Sequence, residues 1–327
     1  MLSLKDYLQE APAAPLPKAS SNTKGVLHEL LVGYHLNGKK HMQQHPNESG
    51  ETPQQAHDRL KATISPEDYD LINRRAAAAA AHIKSIVGSH GKVHQVQWTS
   101  KPGDLHRATG IQASQQEDPS DIVVTTKNGR GQVRHHGVSL KVTDKSSGEV
   151  PVSNPGLEST YGGGDILNSH RAYLQKKYSK MAGMNKPQRK AFLQSNTGMQ
   201  NDLQKRNKKV LTDIVDNMHA RLTAMTPQQR AEHIRKYVLH AHQTPMQKQG
   251  HAHIKHTTFG TDNFSFGTAD PGQDYEHILR DPKNIGVQKR GTSVIFTHKG
   301  EPFARHRIKF ESQSDPLSSI KGSGELM

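Results

Sequence analysis

At 327 residues the chain is longer than one average domain. With 32% hydrophobic residues and Lys+Arg 44 against Asp+Glu 30, a formal net charge of +14, it reads as a polar, basic protein with a modest core. No run approaches the roughly 18 apolar residues of a membrane span, and aromatics at 5% are too few to anchor an amphipathic membrane helix, so the expected partner is a phosphate-bearing polyanion and not a membrane. The lack of cysteine excludes disulfides and thiolate metal sites, and 22 histidines can add charge on mild acidification.

In chain order, Met1 to Glu10 forms a small amphipathic segment with Leu2, Leu4, Tyr7 and Leu8 on its apolar side, and it stops in the proline-rich stretch Ala11 to Pro17. A charged start followed by a long apolar run is missing, so no secretory signal is expected. Its end, Leu8-Gln9-Glu10-Ala11, resembles the capsid-targeting peptides of internal head proteins in large contractile-tailed phages. That resemblance implies cleavage between Glu10 and Ala11 by a prohead protease and residence in the virion interior, with the host cytoplasm as the site during infection. A frayed N-terminal helix is the alternative reading.

A helix is expected from Gly25, where Val26, Leu27, Leu30, Leu31 and Tyr34 recur at helical spacing and Glu29 borders the stripe. Residues 37–53, rich in Gly, His, Gln and Asn, read as a flexible insertion. Ser65-Pro66 then starts a helix, with serine as N-cap and proline at the first position, running through six alanines (76–81) to about Gly88. Val93 to Trp98 alternates as a strand, with Trp98 given a packing role.

Two short β-branched runs follow, Ile122-Val123-Val124 and Gly137 to Val142, separated by Asn128-Gly129, a dipeptide that tolerates the positive φ of a tight hairpin. Alternation puts Val138, Leu140 and Val142 on one face and Ser139 and Lys141 on the other, with Asp121 opening the neighbouring strand. A carboxylate and an amine at one sheet edge suit a divalent cation. An ordinary hairpin with a solvated aspartate and lysine is the competing reading.

The pattern Pro119-Ser120-Asp121 followed by Ser139-Leu140-Lys141 resembles the PD-(D/E)XK nuclease superfamily, with serine at the position of the second acid. The resemblance implies an α/β fold, a restriction-endonuclease-like mixed sheet flanked by helices, and DNA phosphodiester hydrolysis with Mg²⁺. Asp121 and Glu29 would be the metal ligands, Lys141 would act on the attacking water, and Ser139 would reach the metal only by its hydroxyl or a bridging water.

Beyond this, Tyr161 to Asp165 carries three consecutive glycines without the ending of a phosphate loop. The span from His170 to His242 reads as basic helices, with Thr226-Pro227-Gln228-Gln229 as a capping box for the last, and Lys176, Lys177, Lys180, Arg189 and Lys190 are candidate phosphate contacts. His251, His253 and His256 have strand spacing for a metal, but no cysteine or close acid completes a site. A last hairpin, Ser293 to Phe310, sets His306, Ile308 and Phe310 against Arg305, Arg307 and Lys309, and adds Arg305 and Arg307 to the phosphate contacts. The expected organisation is a targeting segment and linker (1–22), a nuclease-like core (23–168), a basic helical insertion (169–245) and a C-terminal β region (246–327) whose hairpin either completes the core sheet or forms a small β lobe. Two functions fit: a metal-dependent DNA endonuclease carried in the capsid, or a non-enzymatic basic internal head protein that binds packaged DNA or acts on the host. Oligomeric state has no sequence signal.

Overall fold

The computed structural model describes residues 20–42, 50–99, 103–113, 117–153, 157, 164–241, 244–310 and 320–327, so Glu10, Ala11 and the targeting segment lie outside the described residues. The chain is of mixed α/β class with two five-stranded sheets, and it divides into two compact units. The first holds the described residues up to Ser146 together with Thr258–Phe266, and the second holds Ser147–Thr257 and Gly267–Met327. The basic helices and the C-terminal strands thus share one unit, where composition suggested two separate regions.

The first unit begins with α1 (Ser21–Leu36), capped by Ser20, whose hydroxyl accepts from Thr23 N–H. The sequence signal at Gly25 was late because the stripe of Leu27, Leu30, Leu31 and Val32 starts one turn inside the helix. Helix α2 (Pro53–Lys61) begins at the last residue of the expected insertion; Thr52 and Gln55 form a capping box around Pro53. Helix α3 (Pro66–Gly88) runs as expected from Ser65, and its alanines Ala76, Ala79 and Ala80 are buried. Small side chains let backbones approach closely there.

Strand β1 (Lys92–Trp98), the short helix α3's successor α4 (Asp104–Thr109), β2 (Ile122–Lys127) and β3 (Val133–Thr143) follow. β1 and β3 both pair antiparallel with β2, with Ile122 opposite Val138 and Trp98. The β2–β3 turn differs in detail from expectation. Asn128 accepts through its side chain from the N–H groups of Arg130 and Gln132, and the positive φ falls on Gly131 (81°) instead of on Asn128-Gly129.

The second unit carries β4 (Val150–Ser153), α5 (Gly164–Lys177), α6 (Lys186–Gln194), the long α7 (Thr197–Ala224) and α8 (Pro227–His233). Thr226-Pro227-Gln228-Gln229 caps α8 as anticipated, and the same Thr-Pro-X-Gln box at Thr244 opens a single turn, Pro245–Lys248. Then come β5 (Ala252–Phe259), β6 (Ser265–Ala269), β7 (Ile285–Arg290), β8 (Ser293–His298), β9 (Glu301–Phe310) and β10 (Ile320–Leu326). The sheet orders are β1-β2-β3-β5-β6 and β4-β10-β9-β8-β7. In the second sheet Phe296, Ala304 and Ile308 meet Val215, Met218 and Leu222 of α7 in one apolar core. β9 is flanked on both sides, by β8 and β10, so the C-terminal hairpin is interior to a sheet.

Candidate functional site

Asp121 sits one residue before β2, where the chain leaves the Ser120 turn. Its N–H donates to Val138 O (2.9 Å), its carbonyl accepts from Thr99 N–H (3.1 Å), and its Oδ2 accepts from Leu140 N–H (2.6 Å). The carboxylate therefore takes the place of a ladder acceptor for β3, and two strands fix its position. Lys141, the next residue along β3, has its Nζ 4.0 Å from the same Oδ2 and is 55% exposed, against 23% for Asp121. An amine that open to water is a reachable donor for a solvent-borne ligand.

Glu29 comes to this corner from α1. Its carboxyl is raised to about 8, first by burial and next by the charge of Asp121, while Lys141 and Trp98 pull it partly back. Two carboxylates that repel one another, with an ammonium beside them, form an electrostatically unfinished group. Trp98 completes the corner at the end of β1. Its Nε1–H is buried without a partner at normal hydrogen-bond distance, yet it lies close enough to Glu29 to favour the charged form. Sequence reasoning gave Trp98 only a packing role; its place at the strand end just before Thr99, which binds the Asp121 loop, was the available signal.

Ser139 is placed differently from its expected role. Its hydroxyl donates to Pro119 O and the residue is 6% exposed, so the hydroxyl proton serves to hold the loop before Asp121. The loop is braced further by Thr99 Oγ1, which donates to Ser120 O (2.6 Å), and by Ser120 Oγ, which donates to Asp118 Oδ1 (2.5 Å).

Glu29, Asp121 and Lys141 are thus brought together. Among the described residues no three His, Asp or Glu side chains are grouped as a metal cage. Ionising Glu29 beside Asp121 is the electrostatic cost that a cation would relieve. The His251 and His253 spacing falls at β5, whose His253 and His256 are each 1% exposed within a fully buried strand.

The predicted phosphate contacts all belong to the second unit. Lys176, Lys180 and Lys190 are exposed. Lys177 is held by Asp202 at 2.7 Å, and Arg189 donates to Met184 O. Arg305 is bound by Glu325 (2.6 Å) and Glu149 (3.0 Å) and is only 18% exposed, so it stitches the sheet and is removed from the set facing a polyanion. Arg307 lies opposite Ser293 and Ser323 in the register of β9. Interior strands spend their charged side chains on neighbours, which a hairpin read in isolation does not reveal.

No family model matches the chain, and a search of curated proteins returns no match.

Proposed function

We propose that the protein is a metal-dependent DNA nuclease, phage-encoded and carried in the capsid, with its site at Glu29, Asp121 and Lys141. The observation that carries this reading is the convergence of two mutually repelling carboxylates and an exposed ammonium where β2 begins beside β3. Asp121 and Glu29 are the residues that would hold Mg²⁺. When bound, the cation would polarise a phosphoryl oxygen and lower the pKa of a bound water.

The chain's own groups do the rest. Lys141, exposed beside Asp121, orients the incoming water and lends positive charge to the phosphoryl oxygens as negative charge builds. Asp121, locked by Leu140 N–H, keeps the donor oxygen in place, so little reorganisation is needed. Glu29, its carboxyl raised to about 8, would hold a proton at neutral pH and would have to release it to serve as a ligand. Exposed Lys176, Lys180 and Lys190 supply the sequence-independent grip on the backbone.

The capsid part rests on the Leu8-Gln9-Glu10-Ala11 resemblance. Mass spectrometry of virions should find the protein beginning at Ala11; its absence from virions, or an intact Met1, removes that part.

One observation favours a second reading, a non-enzymatic basic internal head protein: the position of the second acid is serine, and its hydroxyl proton is committed to Pro119. Purified protein incubated with plasmid and Mg²⁺ separates the two. Cleavage that vanishes in Asp121→Ala and Lys141→Ala establishes the nuclease; DNA binding without cleavage in the wild type establishes the packing protein.

A further inference from the structure

The face of α1 turned away from Glu29 lines a cavity of about 300 Å³ closed by α2 and α3. At roughly 100° per residue along the helix, Leu31, Tyr34 and His35 lie about 140–240° round from Glu29. The cavity is therefore a separate feature of the first unit, on the opposite side of α1 from the carboxylate corner.

Four rings surround it. Tyr34 and His41 have centroids 5.2 Å apart at 50°, His41 and His57 are 5.2 Å apart at 54°, and His57 and Tyr69 are 5.8 Å apart at 67°. Each of these neighbouring pairs is tilted and none is stacked face to face, and Lys61 Nζ lies 4.7 Å over the Tyr69 ring. The array is held from behind. Asp58 Oδ1 is 2.9 Å from His57 Nδ1, which makes that nitrogen the donor, and His57 Nε2 stands 3.0 Å from the Tyr69 hydroxyl, which can then donate to it. His35 Nε2 is 2.9 Å from Asn73 Oδ1, which fixes another pair of lining side chains.

Both signs of charge stand near the cavity, since the Asp58 carboxylate acts on His41 and Tyr69. Lys39, exposed and held at positive φ (62°) just after α1, lines the cavity and makes no ion pair among the described residues. The neighbouring carboxylate, Asp58, is turned to His57. A pocket with aromatic rings and fixed polar groups on its wall and an ammonium among its lining side chains suits a flat heteroaromatic ring that carries a phosphate. Its volume, at the lower end of the roughly 300–1,000 Å³ of ligand pockets, limits the guest to one such unit.

The geometry points to a binding site for a single nucleotide between α1, α2 and α3, with the base among Tyr34, His41, His57 and Tyr69 and the phosphate at Lys39. The guest is either a free nucleotide or the terminal nucleotide of a nucleic-acid strand. The site stands independently of the nuclease reading.

Calorimetry on the full chain in EDTA, with deoxyadenosine monophosphate, deoxyadenosine and inorganic phosphate as probes, tests it. The nucleotide should bind at least tenfold more tightly than either fragment. Tyr34→Ala should weaken it about tenfold and Lys39→Ala about fivefold, with Lys39→Ala leaving deoxyadenosine unaffected; Lys39 is exposed, so this variant folds. Asp121→Ala should bind the nucleotide as wild type does, whatever it does to plasmid cleavage. A 5′-phosphorylated oligonucleotide that loses affinity in parallel with the monophosphate identifies a strand end as the guest, and one that does not identifies the free nucleotide. No heat up to millimolar nucleotide, equal binding of phosphate alone, or nucleotide affinity unchanged in both variants overturns the site.

Discussion

In the first unit the acidic Glu29 is pushed up to about 8 by burial and by Asp121, whereas in the second unit the histidines His233 and His306 are pushed down to about 4 and about 3, chiefly by burial. Both environments disfavour charge, but they differ in what surrounds it. Around His306 are Gly322, Leu157 and the apolar core of the sheet, and burial leaves the imidazole neutral. Around Glu29 there are an aspartate, a lysine and an indole N–H, and of these groups the two carboxylates would gain by the arrival of a cation. The Arg305–Glu325 and Arg235–Glu276 pairs of the second unit bring opposite charges together, whereas Glu29 and Asp121 set two carboxylates beside each other.

The sharpest way to break this contrast is functional. Asp121→Ala should lower Mg²⁺-dependent plasmid cleavage by about 10²–10³-fold while leaving DNA binding, measured by salt-resolved anisotropy, intact. The triple replacement of Lys176, Lys180 and Lys190 by Ala should do the reverse, and each lost phosphate contact should reduce the salt slope by about 0.9. Equal effects of both sets on cleavage and binding would merge the two roles.

Next comes pH. The histidines have folded values below their ordinary 6.5, so their contribution is present above 6.5 and is lost as pH falls toward about 4 and about 3. The second unit should weaken by about 3 kcal/mol between pH 7 and 5, at up to 1.4 kcal/mol per unit for each group. Glu29 has the opposite sign: its folded value lies above 4.5, so its contribution is present below 4.5 and is lost as pH rises through about 8. The sole tryptophan, Trp98, belongs to the first unit, so urea melts followed by its fluorescence report that unit, and far-UV circular dichroism adds the second. Acid should move the dichroism midpoint and alkali the fluorescence midpoint; coincident shifts in both directions would dissolve the distinction.

Glu29→Gln should flatten the alkaline slope, stabilise the metal-free protein at pH 9 by about 2 kcal/mol, and abolish the proton release that accompanies Mg²⁺ binding near pH 7 in calorimetry run in two buffers. In the second unit Gly324→Ala should cost about 2 kcal/mol, because an added Cβ would collide with the Val238 carbonyl and the Ser153 hydroxyl, as thermal melts can check. The smallest effects belong to the caps: Thr52→Ala and Thr226→Ala should each cost about 1 kcal/mol.

Those caps also mark what could be read without coordinates. Thr226-Pro227-Gln228-Gln229 was recognised as a helix start, yet the identical Thr52-Pro53-Gln54-Gln55 was passed over because its surroundings, rich in Gly, His and Gln, look like a loop. The local rule was sufficient, and composition misled. The Asp121 and Lys141 strands and the burial of Ala76, Ala79 and Ala80 were legible because side-chain alternation and helical spacing are short-range properties. The roles of Arg305 and Ser139 were not, since each depends on a partner about 20 residues away in sequence, Glu325 and Pro119.

By itself the sequence determined the polar, basic character, the start of α3, the paired strands and the alternation that sends Lys141 to the side of Asp121. Only the tertiary structure decided that Glu29 and Trp98 meet that pair, that Arg305 is spent inside a sheet, and that rings from α1, α2 and α3 enclose a cavity. The reason is physical: periodicity tells which face a side chain takes on its own element, but a pKa, an ion pair or a cavity is set by what another element places against that face.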